Sequence, residues 1–279
     1  MLSKVRVKVY GKINLSLNIV GEKDGYHMLD SVVASVSVAD TITVRDRLDD
    51  KVNLIFNAGY AVENNTVIKA VNELRKSFGP FGADIVVDKN IPLAGGMGGS
   101  SADAAGVIAA LSKLFDFDKR GLNAKKVCRA VGADVYYMLK GGYARMAGIG
   151  DEVTYIDSDR SLGLVYICSD GVLTSRVYSQ YDSMGGDGKV DNDLLIKSLH
   201  GGGKIPLGNM LYRAAVSLNK DIERNAEALI GAGLTPNMSG SGSTVYALSD
   251  DPMGDAIKLR EKGIDASFAF TKPIGIEFE

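Results

Sequence analysis

The chain has 279 residues, 46% hydrophobic and 24% charged, a balance that marks a folded globular protein and excludes a disordered tail or a collagen-like fibre. Lys and Arg number 32 against 34 Asp and Glu, so a net charge of −2 gives no support for binding a nucleic-acid backbone. Two scattered cysteines, Cys128 and Cys168, make neither a disulfide framework nor a metal-ligand spacing, and no apolar run reaches the ~18 residues that span a membrane.

The first residues, MLSKVRVKVY, alternate Val5, Val7 and Val9 with basic residues. They predict a half-buried strand and lack the apolar stretch of a signal peptide. A cytoplasmic setting follows as the expectation. Ser31 to Arg45 is rich in Val and predicts strands of a meander, broken near Ala39-Asp40. From Thr66 to Phe78 the period becomes helical, with Asn64 or Asn65 as the cap. Ala83 to Val87 predicts another strand. A glycine-rich segment then feeds a strongly helical run from Ala102, where Ser100 and Asp103 have the spacing of a weak capping box. A polar, aperiodic stretch near Gly150 to Ser161 suggests a boundary, giving expected domains 1–155 and 156–279. Beyond it, strands are expected at Leu164–Cys168, Thr244–Leu248 and Ala266–Phe270. Helices are expected at Asn209–Leu218, Asp221–Ile230 and Pro252–Glu261, which makes the second part α+β. Met184–Gly188 and His200–Gly203 read as mobile loops.

The glycines carry the chemistry. There are 33, about one residue in eight against a usual ~7%, and the densest cluster is Pro92-Leu-Ala-Gly-Gly-Met-Gly-Gly-Ser-Ser101. A helix N-terminus presents unpaired N–H groups and the positive end of its dipole. Glycines ahead of it let those groups approach an anion closely, so phosphate is the expected guest. The segment is not a Walker A loop, because Gly99 is followed by Ser100 and not by Lys. It is not GxGxxG either, because Ser101 stands where a glycine is needed. An ordinary turn packed on a sheet is the alternative, and the helix that follows at once favours phosphate.

The segment from Pro92 to Ala105 resembles the ATP-phosphate loop of the GHMP kinases. Lys12-Ile-Asn14-Leu resembles the family's N-terminal motif and Met238-Ser-Gly-Ser-Gly-Ser-Thr244 its C-terminal one. The three motifs stand in the family's order and span almost the whole chain. Further segments point to the branch that acts on a cytidine-diphosphate sugar alcohol: Asp24-Gly-Tyr-His27, Asn65-Thr-Val-Ile-Lys-Ala70, Gly132-Ala-Asp-Val135 leading to Gly148-Ile-Gly-Asp151, and Thr174-Ser-Arg-Val-Tyr178. Departures are visible too. Ser100 stands where the family commonly has Gly, Ala102 where it has Ser, and Tyr136-Tyr-Met138 where it has Pro-Phe-Phe.

The resemblance implies an α+β, two-domain architecture: an N-terminal mixed α/β nucleotide-binding domain and a C-terminal ferredoxin-like α+β domain. It implies ATP-dependent phosphorylation of a hydroxyl of 4-diphosphocytidyl-2-C-methyl-D-erythritol, in non-mevalonate isoprenoid precursor synthesis. Asp134 matches the catalytic aspartate, and Lys12 the lysine beside the reacting hydroxyl. An ammonium next to a carboxylate favours its ionised form and a more acidic hydroxyl. Asn14 would contact the substrate near that hydroxyl. Tyr26 would stack on the cytosine, His27 hydrogen-bond its edge and Tyr178 cover its opposite face. Thr174, Gly240 and Ser241 would help hold the substrate. Asn65 and Lys89 would border the adenine, Asn65 also capping its helix. Pro92, Gly95, Gly96, Gly98, Gly99, Ser100 and Ser101 would form the phosphate cradle. Mg²⁺ is implied with ATP, and no protein residue is assigned to it. The expected partners are the small-molecule substrate and ATP, with neither nucleic acid nor membrane, in a monomer or homodimer. Two alternatives stand: a GHMP kinase for another alcohol, of mevalonate or homoserine type, and a nucleotide sensor without turnover. The retained Lys12 and Asp134 argue against the sensor.

Overall fold

The computed structural model describes residues 3–57 and 65–279. Strand β1 (Lys4–Asn14) leads through β2 (Ser16–Lys23) into the long β3 (Tyr26–Arg47). Val5, Val7 and Val9 are buried and their basic neighbours face outward, as the alternation requires. β1 runs antiparallel to β3 from Lys4 opposite Arg45 to Asn14 opposite Val33. The register shifts once: Tyr10 lies opposite Ala39 while Gly11 lies opposite Val36. Ser37 and Val38 are the extra residues of a bulge. The expected break near Ala39-Asp40 is therefore an irregularity inside one continuous strand, which bends there without ending. Past it every residue of β1 is buried, so Lys12 and Asn14 sit in the interior.

β4 (Val52–Phe56) and β5 (Gly82–Asp88) are parallel and joined by helix α1 (Thr66–Phe78). The Asn65 side chain caps α1 by accepting from the Ile68 N–H at 2.9 Å; Asn64, the alternative cap, lies outside the described residues. Helix α2 (Gly99–Phe115) packs across β1 and β3 with its small residues Ala102, Ala105 and Gly106 inward. Helices α3 (Ala124–Val131) and α4 (Val135–Lys140) lead to the hairpin of β6 (Tyr143–Gly148) and β7 (Glu152–Ile156). β3 is the spine of this sheet. β1 follows one edge, and β6 and β5 share the other.

The second half holds β8 (Gly163–Ile167), α5 (Thr174–Met184), α6 (Asn192–Gly201) and the short β9 (Gly208–Asn209). It continues with α7 (Tyr212–Leu218), α8 (Asp221–Ile230), β10 (Pro236–Met238), β11 (Val245–Leu248), α9 (Pro252–Glu261), β12 (Ala266–Lys272) and β13 (Ile276–Phe278). Strands β10-β11-β8-β12 form an antiparallel sheet, with helices between β8 and β10 and between β11 and β12. That βαββαβ order is ferredoxin-like, as expected. Two segments read as loops are partly helical: Met184 closes α5, and His200 lies in the last turn of α6.

Two apolar cores result. The larger gathers β1, β3, β5, α1 and α2; the smaller gathers Val165, Ile167, Leu211, Ile222, Leu229, Val245 and Leu259. The chain stitches them together. The end of β12 pairs with Ser35 and Val36 of β3, β13 pairs with β1, and β9 pairs with β2. The far end of β1 lies at this seam, where Asn237 and Tyr246 of the second sheet donate to the Asn14 carbonyl.

Candidate active site

A cleft of about 730 Å³ opens at the seam. Lys12, Asn14, Asn65, Lys89, the loop from Pro92 to Ser101, Asp134, Thr174, Tyr178, Gly240 and Ser241 all line it. Of the residues expected at the site, only Tyr26 and His27 stand outside this lining.

The glycine loop is held by its carbonyls. Gly95 O accepts from Thr244 N, Gly96 O from the Ser239 hydroxyl, Met97 O from Lys12 N and Gly98 O from Ala102 N, at 2.9–3.0 Å. With these four carbonyls turned into protein, the N–H groups are left over. Those of Gly96 to Ser101 donate no hydrogen bond to another described residue. Such a row ending at a helix N-terminus is an anion cradle. The backbone explains two of the glycines. Gly96 has φ 75°, and a Cβ there would lie 2.1 Å from the Ser239 carbonyl oxygen. Gly98 has φ 72°, and a Cβ would lie 2.3 Å from the Met138 methyl. The capping box expected from Ser100 and Asp103 does not form. Gly98 is the N-cap, it has no side chain to bond, and the first turn of α2 stays open.

Lys12 and Asn14, two apart on β1, share one face. The Lys12 stem packs beside Gly98, its ammonium donates to the Asn14 side-chain oxygen at 2.6 Å, and Asp134 lies 3.8 Å away. Asn14 is held at both ends of its amide: its Oδ1 also accepts from Gly240 N, and its Nδ2 donates to the Ser31 hydroxyl. Asp134 precedes α4 without capping it, so its carboxylate, 31% exposed, stays available to the cleft. Burial pushes the Tyr178 phenol up to about 12, and the charge of Asp134 adds to the effect. That phenol therefore keeps its proton at neutral pH.

Lys89 lines the cleft, but its charge is committed. Its ammonium donates to Asp40 and, at 2.7 Å, to Asp103, and all three side chains are buried. Asp40 also accepts from the N–H groups of Asn90 and Ile91. Burial works against the lysine's charge, yet the two carboxylates outweigh it and raise the Lys89 pKa. Asp103 is raised above the carboxylate range by burial, with Asp40 adding and Lys89 opposing. One Asp103 oxygen has no hydrogen-bond partner.

At the other end of the cleft, α5 approaches β3. The His27 ring lies on Tyr178, centroids 4.9 Å apart, and its Nε2 is 2.6 Å from Asp182. Tyr26 is 63% exposed and outside the cleft lining, so the structure does not set Tyr26 opposite Tyr178. Thr174, the first residue of α5, pairs its hydroxyl with that of Ser241 at 3.0 Å, which ties α5 to the loop that holds the phosphate cradle.

Residues 65–142 match the family described as the GHMP kinases N terminal domain. Over 268 residues the chain is 31% identical to the 4-diphosphocytidyl-2-C-methyl-D-erythritol kinase of Thermoanaerobacter sp. (strain X514), which covers 90% of this chain and 89% of that protein. It is 32% identical over 257 residues to the enzyme of the same name from Clostridium beijerinckii, covering 88% and 91%. The chain belongs to the GHMP kinase family.

Solved structures share the fold. A crystal structure of 4-(cytidine 5'-diphospho)-2C-methyl-D-erythritol kinase superposes with a TM-score of 0.80 at 27% identity, covering 95% of this chain and 98% of the other. A homoserine kinase from Cytophaga hutchinsonii reaches 0.75 at 17% identity, which shows the shared fold alone. This GHMP kinase is an ATP-dependent small-molecule kinase. Sequence reasoning missed Asp40 and Asp103 around Lys89, Ser31 and Ser239 behind the motifs, and Asp182 beside His27. A carboxylate within the Val-rich run at Asp40 and another within the Ala-rich run at Asp103 were the available signals. Asp182 gave none.

Proposed function

We propose that this GHMP kinase transfers the γ-phosphoryl group of ATP to a hydroxyl of 4-diphosphocytidyl-2-C-methyl-D-erythritol, a step of non-mevalonate isoprenoid precursor synthesis in the cytoplasm. The observation that carries the reading is the Lys12–Asp134 pair, set in one cleft with the open N-terminus of α2. The two relatives above at 31–32% identity bear the name of that kinase, which supports this acceptor. The lobe of residues 1–155 would supply the phosphate cradle, Lys12 and Asp134. The lobe of residues 156–279 would supply Thr174, Tyr178, Gly240 and Ser241.

Phosphoryl transfer asks for position and charge neutralisation more than covalent chemistry. The backbone N–H groups of Gly96 to Ser101 would bind the phosphates. Asp134 would accept the acceptor hydroxyl's proton as its oxygen bonds to the γ-phosphorus, while the bond from that phosphorus to the β-bridging oxygen breaks and ADP leaves. The Lys12 ammonium would hold both the hydroxyl and the carboxylate in place. The donor set fits Mg²⁺ brought in with the nucleotide. Among the described residues no three His, Cys, Asp or Glu cluster as a protein cage, and Mg²⁺ commonly keeps waters and phosphate oxygens with only one or two carboxylates. The Ser101 hydroxyl, which lines the cleft at the phosphate end, is a side-chain oxygen that would hold it. When bound, it neutralises phosphate charge.

The test is ADP release from ATP with a panel of acceptors. Turnover with the cytidyl substrate, and none with mevalonate or homoserine, is the expected result. Turnover with either of the other alcohols and none with the cytidyl compound would move the chain to another branch of its family.

A further inference from the structure

The segment Gly148-Ile-Gly-Asp151 makes the turn between β6 and β7, closed by a hydrogen bond from Gly150 N to the Ala147 carbonyl at 3.1 Å. Ile149 and Gly150 line the cleft, as do Ala133 and Asp134 at the corner between α3 and α4. A methyl group added at Gly150 would lie 3.8 Å from the Ala133 Cβ and 3.9 Å from the Asp134 Oδ1, in ordinary contact with both. The turn therefore stands against the corner that carries the carboxylate.

Asp134 has few restraints of its own. Among the described residues no donor hydrogen-bonds its side chain, and the Lys12 ammonium stands 3.8 Å from Oδ2. The terminal torsion of an Asp side chain is broad, whereas a group that takes a proton in a positioned reaction has to keep one orientation. That orientation is set by what fills the space on either side. Lys12 stands on the Oδ2 side and the β6–β7 turn on the Oδ1 side.

One ion pair keeps the turn in place. Arg129, in the last turn of α3, meets Asp151 Oδ2 through Nη2 at 2.7 Å. The other oxygen of Asp151 folds back over its own turn, 3.0 Å from where a Gly148 Cβ would be. The helix that leads into the Asp134 corner is thus tied to the turn that faces it. The Arg129 side chain is 44% exposed and that of Asp151 22%. A pair this open to water adds little to overall stability, so its loss should be felt at the carboxylate more than in the fold.

We propose that Arg129 and Asp151 are positioning residues, whose ion pair holds the β6–β7 turn against Asp134 and so keeps the carboxylate facing Lys12 and the acceptor hydroxyl. The inference rests on the reading of Asp134 as the proton acceptor, so Asp134→Asn is assayed beside the other variants. Normal turnover in Asp134→Asn would sink that reading and take the proposal with it.

Steady-state kinetics with ATP and the cytidyl substrate are compared in Arg129→Met, Asp151→Asn and Arg129→Lys, with denaturant unfolding of each. In Arg129→Met and Asp151→Asn, kcat should fall about tenfold, less than the ~10²-fold expected for losing the carboxylate, while the KM for ATP stays within about twofold. Arg129→Lys, which restores the charge, should recover most of kcat. The decisive readout is the double variant. Residues that act through Asp134 have nothing left to position once it is Asn, so adding Arg129→Met to Asp134→Asn should leave kcat unchanged. With Asp134→Asn itself slow, unchanged kcat in both Arg129→Met and Asp151→Asn would overturn the proposal. So would an equal further fall when Arg129→Met is added to Asp134→Asn, which marks a structural role.

Discussion

The two ends of the cleft are built in opposite ways. At the nucleotide end, loop carbonyls are tied to β1, to the turn after β10 and to the residue before β11, and Lys89 is locked between two buried carboxylates. At the acceptor end, the hydrogen bond that holds His27 uses an Asp182 that is 55% exposed, and Lys12 and Asp134 stand 3.8 Å apart, longer than a hydrogen bond. The difference follows from what each end handles. A triphosphate makes the same demand at every turnover, and rigid dipoles set in advance meet it without reorganising. An acceptor must be distinguished from other alcohols, which side chains do by direct contact and by closing on the ligand.

If that contrast is sound, cutting each end should give unequal damage. The largest effect is expected at Lys89. Lys89→Met leaves Asp40 and Asp103 buried without their cation, and should lower stability by ~3–5 kcal/mol in denaturant unfolding. Asp182→Ala removes a part-exposed pair and should change stability by less than ~1 kcal/mol. Equal midpoint shifts for the two would erase the distinction between the ends.

A substitution in the cradle comes next. Gly98→Val forces a β-branched residue to φ 72° and its Cβ against the Met138 methyl, a strain of ~1–3 kcal/mol, and its bulk blocks close approach of the phosphates. ATP affinity should fall by more than about tenfold, while a cytidine-compound titration stays near wild type. Gly99→Val should be milder, because Gly99 needs no positive φ and its nearest neighbour would be 3.2 Å from a Cβ.

Acidity gives a smaller and more specific signal. Burial raises the Asp103 pKa to about 7, so the native protein holds a proton that the unfolded chain releases earlier. The stabilisation from this group is therefore full below the ordinary carboxylate value, about pH 4, and is lost as pH rises to about 7. Unfolding midpoints followed across that window should show a downward slope with rising pH that Asp103→Asn flattens. A slope unchanged in the variant would assign the pH dependence elsewhere. The smallest effect is expected at Ser100, which is exposed and touches Thr66 only through its own carbonyl. Ser100→Gly should leave ATP affinity within about tenfold, ~1.4 kcal/mol, by nucleotide titration.

What the sequence disclosed depended on how local the cause was. Helices α1 and α9 match their expected limits because Asn65 and the Asp251-Pro252 start are written beside them. The cradle was legible because its glycines and its helix adjoin. α5 was not, because Val177 is its one fully buried residue and Tyr178 and Tyr181 only partly bury against the smaller core, which leaves a weak helical period. β3 looked broken because a bulge interrupts alternation without ending a strand. The Lys89 clamp joins residues 49 and 14 apart, and the His27 contact joins residues 155 apart. Neither leaves a periodic trace, since only the fold brings the partners together.

The most direct test lies where the two ends meet. In Asp134→Asn the carboxylate that faces Lys12 is replaced by an amide of the same shape. Calorimetry should show ATP and the cytidyl substrate binding nearly as in the wild type, and a coupled assay should show ADP release lowered by at least ~10²-fold, as for loss of a positioned proton acceptor. Turnover near that of the wild type would remove Asp134 from the chemistry and contradict the site described here.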